Sequence, residues 1–263
     1  MKAIWSGNLK LALINIPVRL LPGSKSRQLN FTYLTKKGQS PIRYARVSKL
    51  GGEEVPFNEI VKGFEYDPGK FAVIDDKDLE SANPKLAHTI EVLNFTDPSN
   101  IDKRLFSKPY YLQPESQTNR SYFLLRETLK ESGRVGIVRY LINKTKEHLG
   151  ALTVAGDYLL IIQMRFASDL IPSESLPELI APLLPEEELS LTRQLVESLT
   201  SPFNPNAYTD THTQEVKKLI REKIAGQTPR ISSPPISPTP STDLARQLSD
   251  SLSLTTKRPF FSP

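Results

Sequence analysis

Residues 1–20 read MKAIWSGNLKLALINIPVRL. Their longest uncharged apolar run, Leu11–Ile16, is already interrupted by Asn15, and Pro17 and Arg19 follow. A secretory peptide needs about 7–15 apolar residues and then a small-residue cleavage site. The stretch offers neither, so it reads as the first strand of a folded protein. Leu9, Leu11 and Leu13 alternate, and Ile14, Ile16 and Val18 continue on the opposite parity. That switch predicts a bulge or a strand buried on both faces.

Outward from this stretch, the 263 residues are enough for one large domain or two ordinary ones. With 38% hydrophobic and 24% charged residues the chain has the balance of a soluble globular protein. The absence of cysteine excludes a disulfide framework and a thiolate zinc site and fits a reducing compartment. No window approaches the roughly 20 apolar residues of a membrane helix, so a cytoplasmic protein is expected. The net charge of +5 is unevenly laid out. Lys2, Lys10, Arg19, Lys25, Arg27, Lys36, Lys37, Arg43, Arg46 and Lys49 all precede the first acid, Glu53, whereas residues 53–99 and 174–197 are acidic. Separation by sign gives one surface a positive potential and points to a polyanionic partner; a merely solvated basic face is the plainer reading.

Residues 1–165 read mostly as strands. Leu29–Leu34 alternates up to a Lys36-Lys37-Gly38 turn, and Ile42–Val47, Thr89–Phe95 and Tyr110–Leu112 are similar. Closely spaced prolines argue against a doubly wound parallel sheet and for an antiparallel barrel or sandwich. Asn119–Ser132 predicts a helix capped by Asn119, ended by Gly133, with Tyr122, Leu125 and Leu129 on one face. Strands are expected at Arg134–Ile142, His148–Val154 and Tyr158–Phe166, with a hairpin turn at Ala155–Asp157. Helices follow at Glu186–Leu199 and Thr213–Ile224. The run ISSPPISPTPST at 231–242 cannot pack a core. Beyond it Leu244, Leu248 and Leu252 recur every four residues behind Asp243, a short helix that needs a surface to dock on.

Catalytic signatures are missing: there is no phosphate-binding glycine loop, no H-E-x-x-H and no G-x-S-x-G. His88, His148 and His212 are isolated, and Asp75, Asp76 and Asp78 read more simply as a helix start than as a metal site. No enzyme activity, metal or cofactor is therefore expected. Between Arg120 and His148 seven Lys/Arg face three Glu, spread over a helix, a strand and a turn, which suits a phosphate backbone rather than base edges. Phe31, Tyr33, Tyr44 and Phe57 interleave with cations and suit stacking of single-stranded bases, although alternating aromatics in strands are more often core.

The opening stretch resembles the N-terminus of the bacterial Ku family, which begins with a basic residue and A-I-W-x-G and runs into N-[IV]-P-V. IRYARV (42–47), IEVLNF (90–95), YYLQP (110–114), SYFLLRETL (121–129), GIVRY (136–140), KTKEHLGAL (144–152), FNPNAY (203–208) and LIREKIAG (219–226) follow in the family's order. The resemblance implies a mixed, mainly β fold: an antiparallel β-barrel core with a bridging loop, flanking helices and a C-terminal helical segment. It implies a core over 1–226, a Ser/Pro-rich linker over 227–242 and a short amphipathic segment and tail over 243–263. By the same resemblance the chain forms a ring-shaped homodimer on double-stranded DNA ends, recruits the multifunctional ligase of non-homologous end joining, and works in the cytoplasm at the nucleoid. The bridge is expected within Lys108–Leu152. The expected DNA contacts are Lys36, Arg43, Arg46, Arg120, Arg126, Lys130, Arg134, Arg139, Lys144 and Lys146. Leu244, Leu248 and Leu252 are the expected ligase contacts. Many relatives carry a Cys pair where this chain has Ser48 and Gly51, and some end in a lysine-rich tail where this one has only Lys257 and Arg258. The alternative is a β-barrel that binds single strands without threading.

Overall fold

The computed structural model describes residues 2–25, 29–75, 77–79, 88–142, 146–227 and 244–257. They group into two compact units, Met1–Leu176 and Pro177–Pro263, so the boundary expected at 226 falls inside the second.

The parity switch in the opening stretch is a hairpin turn, not a bulge. Ala12 takes a positive φ of 50° and Leu13 stands at the tip, 96% exposed. It divides β1 (Trp5–Leu11) from β2 (Ile14–Pro22), which pair antiparallel with Leu9 opposite Ile16. Trp5 and Leu9 from β1 and Ile16, Val18 and Leu20 from β2 point into one core. Two short amphipathic strands thus explain the alternation better than one doubly buried strand.

A two-stranded hairpin of β3 (Lys62–Asp67) and β4 (Lys70–Ile74) stands apart from the main sheet. The main sheet continues with β5 (Thr89–Thr96), β6 (Phe106–Pro114), β7 (Val135–Leu141), β8 (Glu147–Ala155) and β9 (Tyr158–Met164). It closes as a barrel in the order β1-β2-β6-β9-β8-β7-β5. Every neighbouring pair is antiparallel except the seam, where β1 and β5 run parallel. A closed sheet with an odd number of strands cannot alternate direction all the way round, so one parallel pair is obligatory. β6 extends beyond the expected Tyr110–Leu112, with its register shift between Phe106 and Pro109, where proline removes a ladder donor.

Helix α1 (Arg120–Ser132) fulfils its sequence signals: Asn119 Oδ1 accepts from the Tyr122 N–H, and Gly133 ends the helix at φ 63°. It packs against β8 and β2, placing Tyr122, Leu125 and Leu129 in the barrel core. The Tyr122 hydroxyl donates to the Leu112 carbonyl at 2.6 Å and accepts from the Leu159 N–H at 2.8 Å, tying helix, β6 and β9 together.

The second unit holds α2 (Glu186–Leu199), α3 (Thr211–Ile224) and α4 (Leu244–Lys257). No residue of α2 or α3 is fully buried. The expected linker lies almost wholly outside the described residues, as does Asp243, the expected cap of α4.

Candidate nucleic-acid interface

β2 ends and β5 begins at the same end of the barrel, since Trp5 of β1 faces Leu20 and Asn8 faces Thr89. Only β1 lies between them. Two strand spacings, roughly 10 Å, could be crossed by a handful of residues. The chain instead makes an excursion over residues 23–88. Among the described residues of 23–75 none is buried. The described residues of 108–152 form barrel wall and α1 rather than the bridging loop expected there, and the long segment without a buried residue is the one between β2 and β5.

Local turns give the excursion its shape. Thr35 N–H bonds to Ser40 O and Ile42 N–H to Tyr33 O, closing the Lys36-Lys37-Gly38 turn with Gly38 at φ 81°. Leu34 and Pro41 meet only as an isolated bridge, so Leu29–Leu34 and Ile42–Val47 are not strands as expected. A second turn joins Arg46 to Val55, with Ser48 N–H on Glu53 O and Gly52 N–H on Ser48 O; backbone bonds close it. The turns present Lys36, Arg43 and Arg46, all exposed. Arg46 lies over the Phe57 ring at 5.0 Å, and Arg43 reaches Glu54 at 3.4 Å in a largely exposed pair. Lys37 and Lys49 share this acid-free part of the excursion and are also exposed. The expected contacts omit these two, which belong to the same run of cations before Glu53.

The aromatics are exposed too. Phe31, Tyr33, Tyr44 and Phe57 are 69%, 68%, 77% and 76% accessible, so their expected place in a core is overturned. The hairpin adds Phe64, Tyr66 and Phe71, also uncovered.

The described ones among the remaining candidates lie on α1 and on or beside β7 and β8. Arg120 opens α1 and is exposed, as are Lys130 and Lys146. Arg126 is turned inward: its guanidinium bonds Glu127 and the Asp157 carbonyl and stacks on Phe123 at 4.9 Å. Arg134 faces Asp97 at 3.9 Å. Arg139 sits between Glu91 at 3.3 Å and Glu147 at 3.6 Å, with Lys10 on the other side of Glu91. Arg126 and Arg139 therefore have their charge largely answered by acids. Lys144 lies outside the described residues. Asp75 and Asp78 cap each other's backbone N–H groups, the geometry of a helix start; Asp76 is outside the described residues.

Residues 10–195, spanning nearly the whole barrel and its excursion, match the family model described as the Ku70/Ku80 β-barrel domain. The chain belongs to the Ku family. Bacterial relatives named "Non-homologous end joining protein Ku" run along most of it. The one from Opitutus terrae is 34% identical over 261 residues, covering 97% of this chain and 92% of its own. The Pseudomonas aeruginosa protein is 34% identical over 85% of this chain and 77% of its own, and that of Desulfitobacterium hafniense 30% over 98% and 90%. In this Ku chain no helix among the described residues is long and apolar enough to cross a membrane.

Proposed function

We propose that this chain is a non-catalytic DNA-end-binding protein of non-homologous end joining that acts as a ring-shaped homodimer around duplex DNA and recruits a DNA ligase. The observation that carries this reading is the excursion between β2 and β5. It bears five exposed cations with no acid between them in sequence, Lys36, Lys37, Arg43, Arg46 and Lys49, together with exposed aromatics that a lone copy leaves wet. An isolated two-stranded hairpin such as β3–β4 is marginal in water. Covering an exposed Phe or Leu contributes about 1.5–3 kcal/mol each, so a second copy laid against the excursion supplies what it lacks. The cations then line the enclosed space, where sequence-independent binding needs charge and no base readout. Arg120, Lys130 and Lys146 on the barrel extend that surface in this reading, and Arg134 contributes beside Asp97. Arg126 and Arg139 contribute least. Within the second unit, Leu179, Ile180, Leu183 and Leu184 expose a further apolar stretch that a partner copy can cover. In this reading the chain works in the cytoplasm at the nucleoid, and the ligase contact falls to the C-terminal helix.

A footprint on blunt duplex tests the reading: protection confined to the terminal base pairs, and abolished when both ends are blocked by bulky caps, is expected. Equal protection with blocked ends would contradict it. The exposure of Phe31, Tyr33, Tyr44 and Phe57 favours one other reading, a non-threading binder of single strands that stacks bases on these rings. Single strand in excess displacing the protein from blunt duplex would decide for that reading.

A further inference from the structure

The hairpin of β3 and β4 has two strand edges, and the sequence treats them differently. Among the described residues no other strand joins this sheet. β3 carries Lys62, Glu65 and Asp67, and its register shifts between Glu65 and Asp67. Charges and an irregular register keep an exposed edge from pairing with another chain. β4 lacks both. Its one charge, Lys70, is held by Asp67 of β3 at 2.8 Å, and the rest reads Phe71-Ala72-Val73-Ile74. Phe71 and Val73 on this strand and Phe64 on β3 are each more than half exposed.

We propose that β4 of one copy pairs antiparallel with β4 of a second copy, making one four-stranded sheet in the order β3-β4-β4-β3. The proposal rests on the reading that the chain works as a homodimer, and names the seam between the two excursions. A two-fold antiparallel pairing sets one residue opposite itself. Only Ala72 in that place lets all five residues of β4 pair. Phe71 then lies opposite the partner's Val73, and Val73 opposite the partner's Phe71, the reciprocal contact that a two-fold interface requires. Aromatic and β-branched side chains facing each other across strands stabilise a sheet. On the other face Ala72 already lies opposite Phe64 within the hairpin. The row becomes Phe64, Ala72, the partner's Ala72 and the partner's Phe64, so two small residues lie between two rings and leave them room to close over the seam. A strand of another protein would satisfy the backbone of this edge but not that reciprocity. Each hairpin, marginal alone, becomes half of a four-stranded sheet.

The chain has no cysteine, so Ala72→Cys introduces a single thiol. Residues opposite each other in an antiparallel pair stand about 4.5–5.5 Å apart at Cα, within the span of a disulfide. Glu65→Cys puts the thiol on β3 instead, at least about 14 Å from its counterpart in the proposed sheet. Each full-length variant is sedimented in reductant, then oxidised and run on a denaturing gel, and cooperative melting shows that the barrel is folded. Ala72→Cys should become mostly covalent dimer and Glu65→Cys should not. Val73→Lys, which charges the open edge and breaks both Phe–Val pairs, should weaken the dimer roughly tenfold. Dimers that Ala72→Cys fails to cross-link, or that Glu65→Cys cross-links equally, would overturn the β4 seam and leave the homodimer standing. An unchanged dimer constant in Val73→Lys would do the same. An unaltered chain that sediments as a monomer would overturn the homodimer reading, and the seam with it.

Discussion

Tyr122 shows how much one side chain settles in this barrel. Its ring lies in the core, and its hydroxyl serves a carbonyl of β6 and an N–H of β9 at once. Burial pushes its phenol above the ordinary tyrosine range, so the group stays neutral and both bonds persist. Tyr122→Phe keeps the packing and leaves two buried backbone groups unpaired, at about 1–3 kcal/mol. Thermal unfolding should move down by on the order of 5 °C, and an unchanged midpoint would mean the bonds contribute nothing. His148 makes a second residue-scale case. Burial, and then the Lys146 charge, lower its pKa below the usual imidazole value, and its ring lies 5.6 Å from that of Tyr140. The folded state therefore binds its proton less readily than the unfolded chain. The stability this contributes is complete above the ordinary imidazole pKa and is lost as pH falls through the depressed one. Melting between pH 7.5 and 5 should show a decline that His148→Gln reduces.

At the scale of elements, the excursion is separable from the barrel because it leaves and returns at one end with a single strand between. Replacing residues 23–88 by a short glycine-serine turn should leave a barrel that unfolds cooperatively but neither dimerises nor holds DNA ends. An unfolded product would show instead that the excursion belongs to the core. Within the intact excursion, Lys36→Gln/Arg43→Gln/Arg46→Gln should weaken binding to all duplex sequences alike. It should also flatten the slope of log affinity against log salt by up to about 0.9 for each phosphate left without its cation. A slope equal to that of the unaltered chain would remove these three from the interface. Elements governed by local signals are legible in the sequence: the cap at Asn119, the stop at Gly133 and the Ala155–Asp157 turn all lie within a few residues of the features that specify them. The break at Ala12 shows in the sequence only as a parity switch, which a bulge would give as well, because no glycine or asparagine marks the positive φ. The bridge expected within Lys108–Leu152 fails for a similar reason: the cations between Arg120 and Lys146 are spaced like a DNA-facing surface, yet Arg126 and Arg139 meet partners brought from distant parts of the chain. Pairing of that kind is set by barrel closure and has no signal along the chain. The acid-free run before Glu53, by contrast, falls on a segment whose described residues are all unburied, and composition alone marks it.

For the whole molecule, the account requires two copies. A single chain leaves Phe57, Phe64 and Phe71 on the excursion more than half exposed, a surface that monomeric proteins seldom tolerate. Phe64→Ser/Phe71→Ser should shift sedimentation toward monomer and lower DNA-end affinity in parallel, since a half-ring cannot enclose a duplex. A variant that stays dimeric would place the interface elsewhere. Enclosure is the central claim, and it depends on access to an end rather than on charge. The most direct measurement is competition for a labelled blunt duplex by equal masses of linear and covalently closed circular DNA of one sequence. Linear DNA should displace the label efficiently while the circle displaces little of it. Equal competition by the two forms would contradict the ring.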